Sequence, residues 1–126
     1  MKTKQSITKA IITSLLVLFL GTLLAVQAHG QIYVSDNTNG TVGEYNLDGT
    51  AINPSLISGL TQPAGLALSG KHLYVIVHGD GTNGTVQVYN ATTGAVINPS
   101  LVTAPQLPEI LALSGNNLYV VRPDND

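Results

Sequence analysis

The chain contains no cysteine and no tryptophan. Without cysteine there is neither a disulfide framework nor a thiolate metal site, and the compartment is left undecided on that ground. Charge is scarce too: 10% of residues are charged and 44% are apolar. A solvated disordered chain needs the opposite balance, so this sequence is built to bury a core. Positive charge is the scarcest kind. Lys2, Lys4 and Lys9 precede residue 28, and only Lys71 and Arg122 follow it, against seven carboxylates, which leaves −5 for that part. A surface of that sign repels phosphate backbones, and no basic stripe offsets it. Nucleic acid is therefore not expected as a partner. Beyond residue 30 no window carries a helical period of apolar residues. There is no glycine-rich phosphate loop before a helix, no nucleophile motif and no histidine-rich cluster. No cofactor is expected, and the length of 126 residues is that of one domain.

What is present begins with an address. Met1 to Lys9 hold three lysines and no acid, and Ala10 to Val26 are almost wholly apolar. The run ends in Val26-Gln27-Ala28, with small or modest residues at the two positions that a signal peptidase reads. This is the tripartite pattern of a secretory signal over residues 1–28. The apolar run falls slightly short of the roughly 20 residues that span a bilayer; the alternative is an uncleaved anchor. Either way residues 29–126 are expected outside the cytoplasm.

The remainder repeats itself. Gly40 to Gly70 read GTVGEYNLDGTAINPSLISGLTQPAGLALSG, and Gly84 to Gly115 read GTVQVYNATTGAVINPSLVTAPQLPEILALSG. Leu73-Tyr74-Val75 follows the first and Leu118-Tyr119-Val120 the second, while Ile32-Tyr33-Val34 precedes both. Short β-rich runs alternate with glycine turns, the signal for antiparallel strands joined as hairpins. The expected strands are Ile32 to Ser35, Thr41 to Asn46, Ala51 to Ile57, Gly65 to Leu68, His72 to Val77, Thr85 to Asn90, Ala95 to Val102, Ile110 to Leu113 and Leu118 to Val121. Asn39-Gly40 and Asn83-Gly84 read as turn pairs suited to positive φ. Asn53-Pro54 and Asn98-Pro99 fall inside the third run of each repeat. Proline cannot donate to a ladder, so that run should lie at a sheet edge. Tyr33 to Tyr74 is 41 residues and Tyr74 to Tyr119 is 45. Four strands per period of that size is the signature of β-propeller blades.

Pro63-Ala64-Gly65-Leu66-Ala67-Leu68, a turn, Leu73-Tyr74-Val75, a turn, then Val86-Gln87-Val88-Tyr89 resembles NHL-type repeats and the related six-bladed, lactonase-like propellers. The resemblance covers residues 31–126. It departs from the family pattern at Ser69 and Ser114, where an acid is usual, and at Thr41 and Thr85, which replace a basic residue; Asp36 fits. The fold it implies is all-β, with four-stranded antiparallel blades: one part over 31–70, one over 71–115 and the start of another from 116. Lettered a to d from the axis, the strands run b-c-d, a-b-c-d, a-b, or about two and a quarter blades, whereas a propeller usually closes with at least four. Two expectations follow: a truncated or partial member of the family, or self-association through open blade edges, with three chains completing a ring.

Candidate chemistry is sparse. Glu109 stands where the other repeat has Ala64, at the start of an innermost strand after Pro108. The resemblance places that position at the channel mouth, where lactonase-like propellers hold a metal with acids and amides from several blades. A lone carboxylate neither binds nor hydrolyses much, and the competing reading is a solvated loop acid. His78-Gly79-Asp80 is the one place where an imidazole and a carboxylate are close in sequence, but two ligands on a glycine-rich loop are too few for a metal site. Asp80 to Gly84 lacks the acid that closes a calcium loop. Asn39, Asn83 and Asn90 each open a glycosylation acceptor pattern, the first two better read as turns. Tyr33, Tyr45, Tyr74, Tyr89 and Tyr119 recur at equivalent positions, which marks them first as packing residues. The expected function is a secreted, non-catalytic scaffold that binds a protein or a glycan. The alternative is part of a lactonase-like propeller hydrolase.

Overall fold

The computed structural model describes residues 30–122; the apolar leader read as a signal lies outside the described residues. Among them every regular element is a strand. Sheet A holds β1 (Gln31–Asp36), β2 (Thr41–Asn46) and β3 (Ala51–Ile57). Sheet B holds β4 (Pro63–Ser69), β5 (His72–Val77), β6 (Asn83–Asn90) and β7 (Val96–Pro105). Sheet C holds β8 (Ile110–Ser114) and β9 (Asn117–Val121). Every ladder is antiparallel between strands consecutive in sequence. The all-β class read from the sequence is therefore the class observed.

The two repeats fold alike in detail. Tyr33 faces Glu44 in sheet A, and Tyr74 faces Val88 at the equivalent place in sheet B. The proline-bearing strands β3 and β7 are edges, as the missing donor requires. Both carry the same irregularity. Between Val42 and Glu44 the partner strand runs from Ile57 back to Asn53, and between Val86 and Val88 it runs from Val102 back to Asn98. The surplus residues form bulges that contain Pro54 and Pro99. In each, the Asn side chain takes the Ser amide two residues on: Ser55 N to Asn53 Oδ1 at 3.2 Å, and Ser100 N to Asn98 Oδ1 at 3.0 Å. An Asx turn thus satisfies a backbone donor that the ladder cannot use.

The turns correct two expectations. Gly40 alone is left-handed in its loop (φ 65°), while Asn39 caps the loop by bonding Asp36 through both its amide and its side chain. Asn83-Gly84 is not a turn. It belongs to β6, where Asn83 pairs with Pro105 and Gly84 with Ala104. The reversal sits earlier, over 78–82, because Gly79 and Gly81 supply the positive φ angles there. With Gly84 in the ladder, β7 extends past the expected end at Val102.

The three sheets pack face to face in chain order. Val42 and Ile57 of sheet A meet Leu73, Val75, Val77 and Tyr89 of sheet B. On the opposite face of sheet B, Ile76 and Val86 meet Leu111, with Tyr74, Leu118 and Val120 around them. β5 is thus covered on both faces, which is why His72–Val77 reads as a nearly continuous apolar run. Burying a side chain such as Ile76 completely stabilises by about 2–3 kcal/mol. Leu68, at the far end of β4, is 46% exposed.

Candidate binding groove

A groove of about 370 Å³ lies where sheet A hands over to sheet B. One wall is the β3–β4 connection, with Leu60 and Thr61. The other is the face of β6 that carries Thr85, Gln87 and Tyr89, with Val77 beside it. Strand periodicity puts these three β6 side chains on one face. The connection is fixed at both ends by backbone bonds: Leu60 N to Gly40 O at 3.0 Å, and Gly79 N to Thr61 O at 3.1 Å.

The polar groups form a short column. Gln87 Nε2 donates to Thr85 Oγ1 at 3.3 Å, and the Tyr89 hydroxyl donates to Gln87 Oε1. These bonds lock the Gln87 amide and leave a hydroxyl, an amide N–H and a phenol edge along the wall. Burial pushes the Tyr89 phenol up, so it stays neutral at physiological pH. No carboxylate, imidazole or ammonium lines the groove. Such a surface can exchange hydrogen bonds with a neutral ligand, but it holds no acid–base pair to activate one. The sequence reading missed this site because its parts come from both repeats. The available signal was Gln87, a polar residue between Val86 and Val88 where the other repeat has Gly43.

The residues singled out from the sequence sit elsewhere. Glu109 immediately precedes β8 and is exposed. Its backbone is held by Glu109 N to Val121 O at 3.0 Å. Among the described residues no three His, Asp or Glu side chains gather closely enough to hold a metal, so Glu109 stands without co-ligands. His78 and Asp80 do not join. The His78 Nε2 donates to the Pro108 carbonyl at 2.7 Å, which ties the reversal to the β7–β8 connection. A carbonyl only accepts, so Nε2 carries the proton. Asp80 Oδ1 accepts from Thr82 N at 3.0 Å and Thr82 Oγ1 at 2.7 Å, and the Thr82 hydroxyl, then its amide, lowers the carboxyl below its ordinary value. Of the sequon asparagines, Asn39 and Asn83 are exposed, and Asn90 uses Oδ1 to accept from the amides of Thr92 and Thr93. Tyr33, Tyr74 and Tyr89 pack as expected, whereas Tyr119 is 52% exposed.

One acid is buried. Glu44 is 5% exposed, facing sheet B beside Tyr33. Burial first, then the Glu44 charge, raises the Tyr33 phenol. The Tyr33 hydroxyl reaches across to the Ala91 carbonyl at 3.2 Å, and Ser35 Oγ reaches the Ala64 carbonyl at 2.7 Å. These bonds stitch sheet A to sheet B beneath the groove.

No protein-family model, no curated protein and no solved structure matches the chain.

Proposed function

We propose that this chain is a secreted, non-catalytic repeat protein of the NHL-like β-propeller kind, whose stacked blades hold a groove for a neutral, hydroxyl-rich ligand such as a glycan. The observation that carries the reading is the lining of the groove. Thr61, Thr85, Gln87 and Tyr89 offer hydroxyls, an amide and a phenol, with no ionisable acid or base among the lining residues other than the phenol. Recognition of a neutral polyol needs fixed hydrogen-bond groups beside an aromatic or apolar surface, and Leu60, Val77 and Tyr89 supply that surface. The blade reading is supported by the repeat itself: two units with one register and one bulge, stacked front to back with β4 and β8 adjacent. A lactonase-like hydrolase would need convergent acids at the starts of β4 and β8, where the chain provides Ala64 and Glu109.

Saturation-transfer NMR with a panel of neutral mono- and disaccharides tests this reading. At least one saccharide should receive saturation from the wild-type chain. Gln87→Leu, which keeps the volume and removes the amide, should weaken that binding about ten-fold or more. A panel without a responder, or binding indifferent to Gln87→Leu, would refute it.

A further inference from the structure

The polar column on β6 leaves one side chain half used. Thr85, Gln87 and Tyr89 stand in a row on one face of the strand, two residues apart. Gln87 Nε2 donates to Thr85 Oγ1 at 3.3 Å on one side, and the Tyr89 hydroxyl donates to Gln87 Oε1 on the other. A carboxamide carries two N–H hydrogens and two oxygen lone pairs. Both neighbours lie along the strand, so they take the hydrogen and the lone pair that face sideways. The other hydrogen and the other lone pair are left side by side at the tip of the amide, on a half-buried residue that lines the groove. Asn83, the second amide of the lining, is not held in this way. It is exposed; two residues before it stands Gly81, which has no side chain, and two residues after it Thr85, already bonded to Gln87.

We infer that the Gln87 amide reads a vicinal diol: two hydroxyls on adjacent ring carbons, held gauche, of which one accepts the remaining N–H and the other donates to the remaining lone pair of Oε1. The inference rests on the groove reading and names the feature of the ligand that the groove selects. Gauche hydroxyls on adjacent carbons lie close enough together to meet both atoms of one amide edge. Equatorial hydroxyls on alternate carbons stand too far apart to do so. The flanking bonds fix the amide before a ligand arrives, so its rotation is not lost on binding. Across the groove Ser58 and Thr61 present further hydroxyls, and Leu60 gives the ring an apolar surface. The other repeat cannot do the same. Thr41 and Tyr45 supply equivalent flanks, but the residue between them is Gly43. The Tyr45 ring lies over that glycine, with Cε2 2.7 Å from where a Cβ would stand. The reader is therefore on sheet B and not on sheet A.

Saturation-transfer NMR on the full chain tests it with three small probes, and circular dichroism serves as the folding control. The myo-inositol ring carries a hydroxyl on every carbon. The all-cis cyclohexane-1,3,5-triol has the same ring, with equatorial hydroxyls and no vicinal pair. Propionamide presents a primary amide, the other group that could match the free edge. The triol can make only one of the two bonds, so myo-inositol should bind about three- to ten-fold tighter. That ratio is the readout, because a merely structural change would lower both affinities alike. Gln87→Leu should bring the ratio to about one. Thr85→Val and Tyr89→Phe each release one side of the amide, and each should cut the ratio about two- to three-fold; they carry the test where Gln87→Leu disturbs the fold. Equal affinity for inositol and triol overturns the inference, as does a preference that survives Gln87→Leu, or tighter binding of propionamide than of inositol. A saccharide panel that responds while myo-inositol does not would remove this inference and leave the groove reading intact. Silence from the panel and from inositol together would remove both.

Discussion

Gly65→Ala is the sharpest perturbation of the stack. The position has no positive φ, so alanine is conformationally allowed. On backbone grounds alone the change should stabilise the chain by about 0.4–1 kcal/mol, because it restricts the unfolded state. The packing opposes it. The added methyl would meet the Glu109 carbonyl oxygen at 2.5 Å, the Glu109 carbonyl carbon at 3.2 Å and Ile76 Cδ1 at 3.1 Å. An ordinary carbon–oxygen contact is about 3.3 Å, so β4 and β8 must part by roughly 0.8 Å. The obstacle is backbone, and that backbone is held by the bond from Glu109 N to Val121 O. Overpacking of this kind costs about 1–3 kcal/mol. The net expectation is a loss of about 1–2 kcal/mol, or a fall in Tm of about 4–16 °C for a domain of this size. Thermal and urea melts followed by circular dichroism read it directly. Ile110→Ala is the matched control. It changes the equivalent position, which is 56% exposed and has no strand stacked on it among the described residues, and should cost less than about 1 kcal/mol. A Gly65→Ala chain as stable as wild type, or more so, would show that β4 and β8 do not touch, and the stacking of sheet B on sheet C would fall with it.

Other outcomes follow from the same contacts. Ile76→Ala removes a fully buried side chain from the centre of the second cluster, and should cost about 2–5 kcal/mol in a urea melt. Tyr33→Phe and Ser35→Ala each remove one side-chain bond between sheets A and B; each should cost about 1 kcal/mol, and the pair should be non-additive in a double-mutant cycle. Three turn carboxyls are held below the ordinary aspartate value of 3.8: Asp36 chiefly by the Asn39 amide, Asp48 by the Thr50 hydroxyl and Asp80 by the Thr82 hydroxyl. A folded-state value below the unfolded one gives stability that is present above pH 3.8 and lost as the pH falls through the lowered values. Carbon-detected NMR titration should therefore place all three below 3.8, and Tm should begin to drop only as the pH falls under about 4.

Much of the fold was legible because strand and turn chemistry are local. Asp48-Gly49, Ser69-Gly70 and Thr93-Gly94 each put a left-handed glycine at a reversal, and Pro54 and Pro99 marked the edges correctly. The reading failed where two local signals competed. Asn83-Gly84 has the composition of a turn, but Gly79 and Gly81 already complete the reversal, so the pair was free to enter the ladder. The groove was illegible for a different reason. Thr85 and Gln87 are separated from Leu60 by more than twenty residues, and only the face-to-face packing of sheets A and B brings them together. His78 read only as part of a glycine-rich loop, and its partner at Pro108 lies in the next sheet's approach.

The differences between the two repeats carry as much information as their likeness, because each marks a place where the neighbours differ. Leu56 and Ile57 are buried against sheet B, while Leu101 and Val102 at the same positions are 43% and 42% exposed, since among the described residues sheet C holds only β8 and β9. Gly43 leaves room for the Tyr45 ring, whose Cε2 would lie 2.7 Å from an added Cβ; Gln87 at the matching place instead bonds Tyr89 and builds the groove wall. Gly65 admits the Glu109 backbone, and Ile110 shuts that space. A repeat protein of this kind gains its stability at the interfaces between units. Substitution inside an invariant frame therefore records what each unit is pressed against.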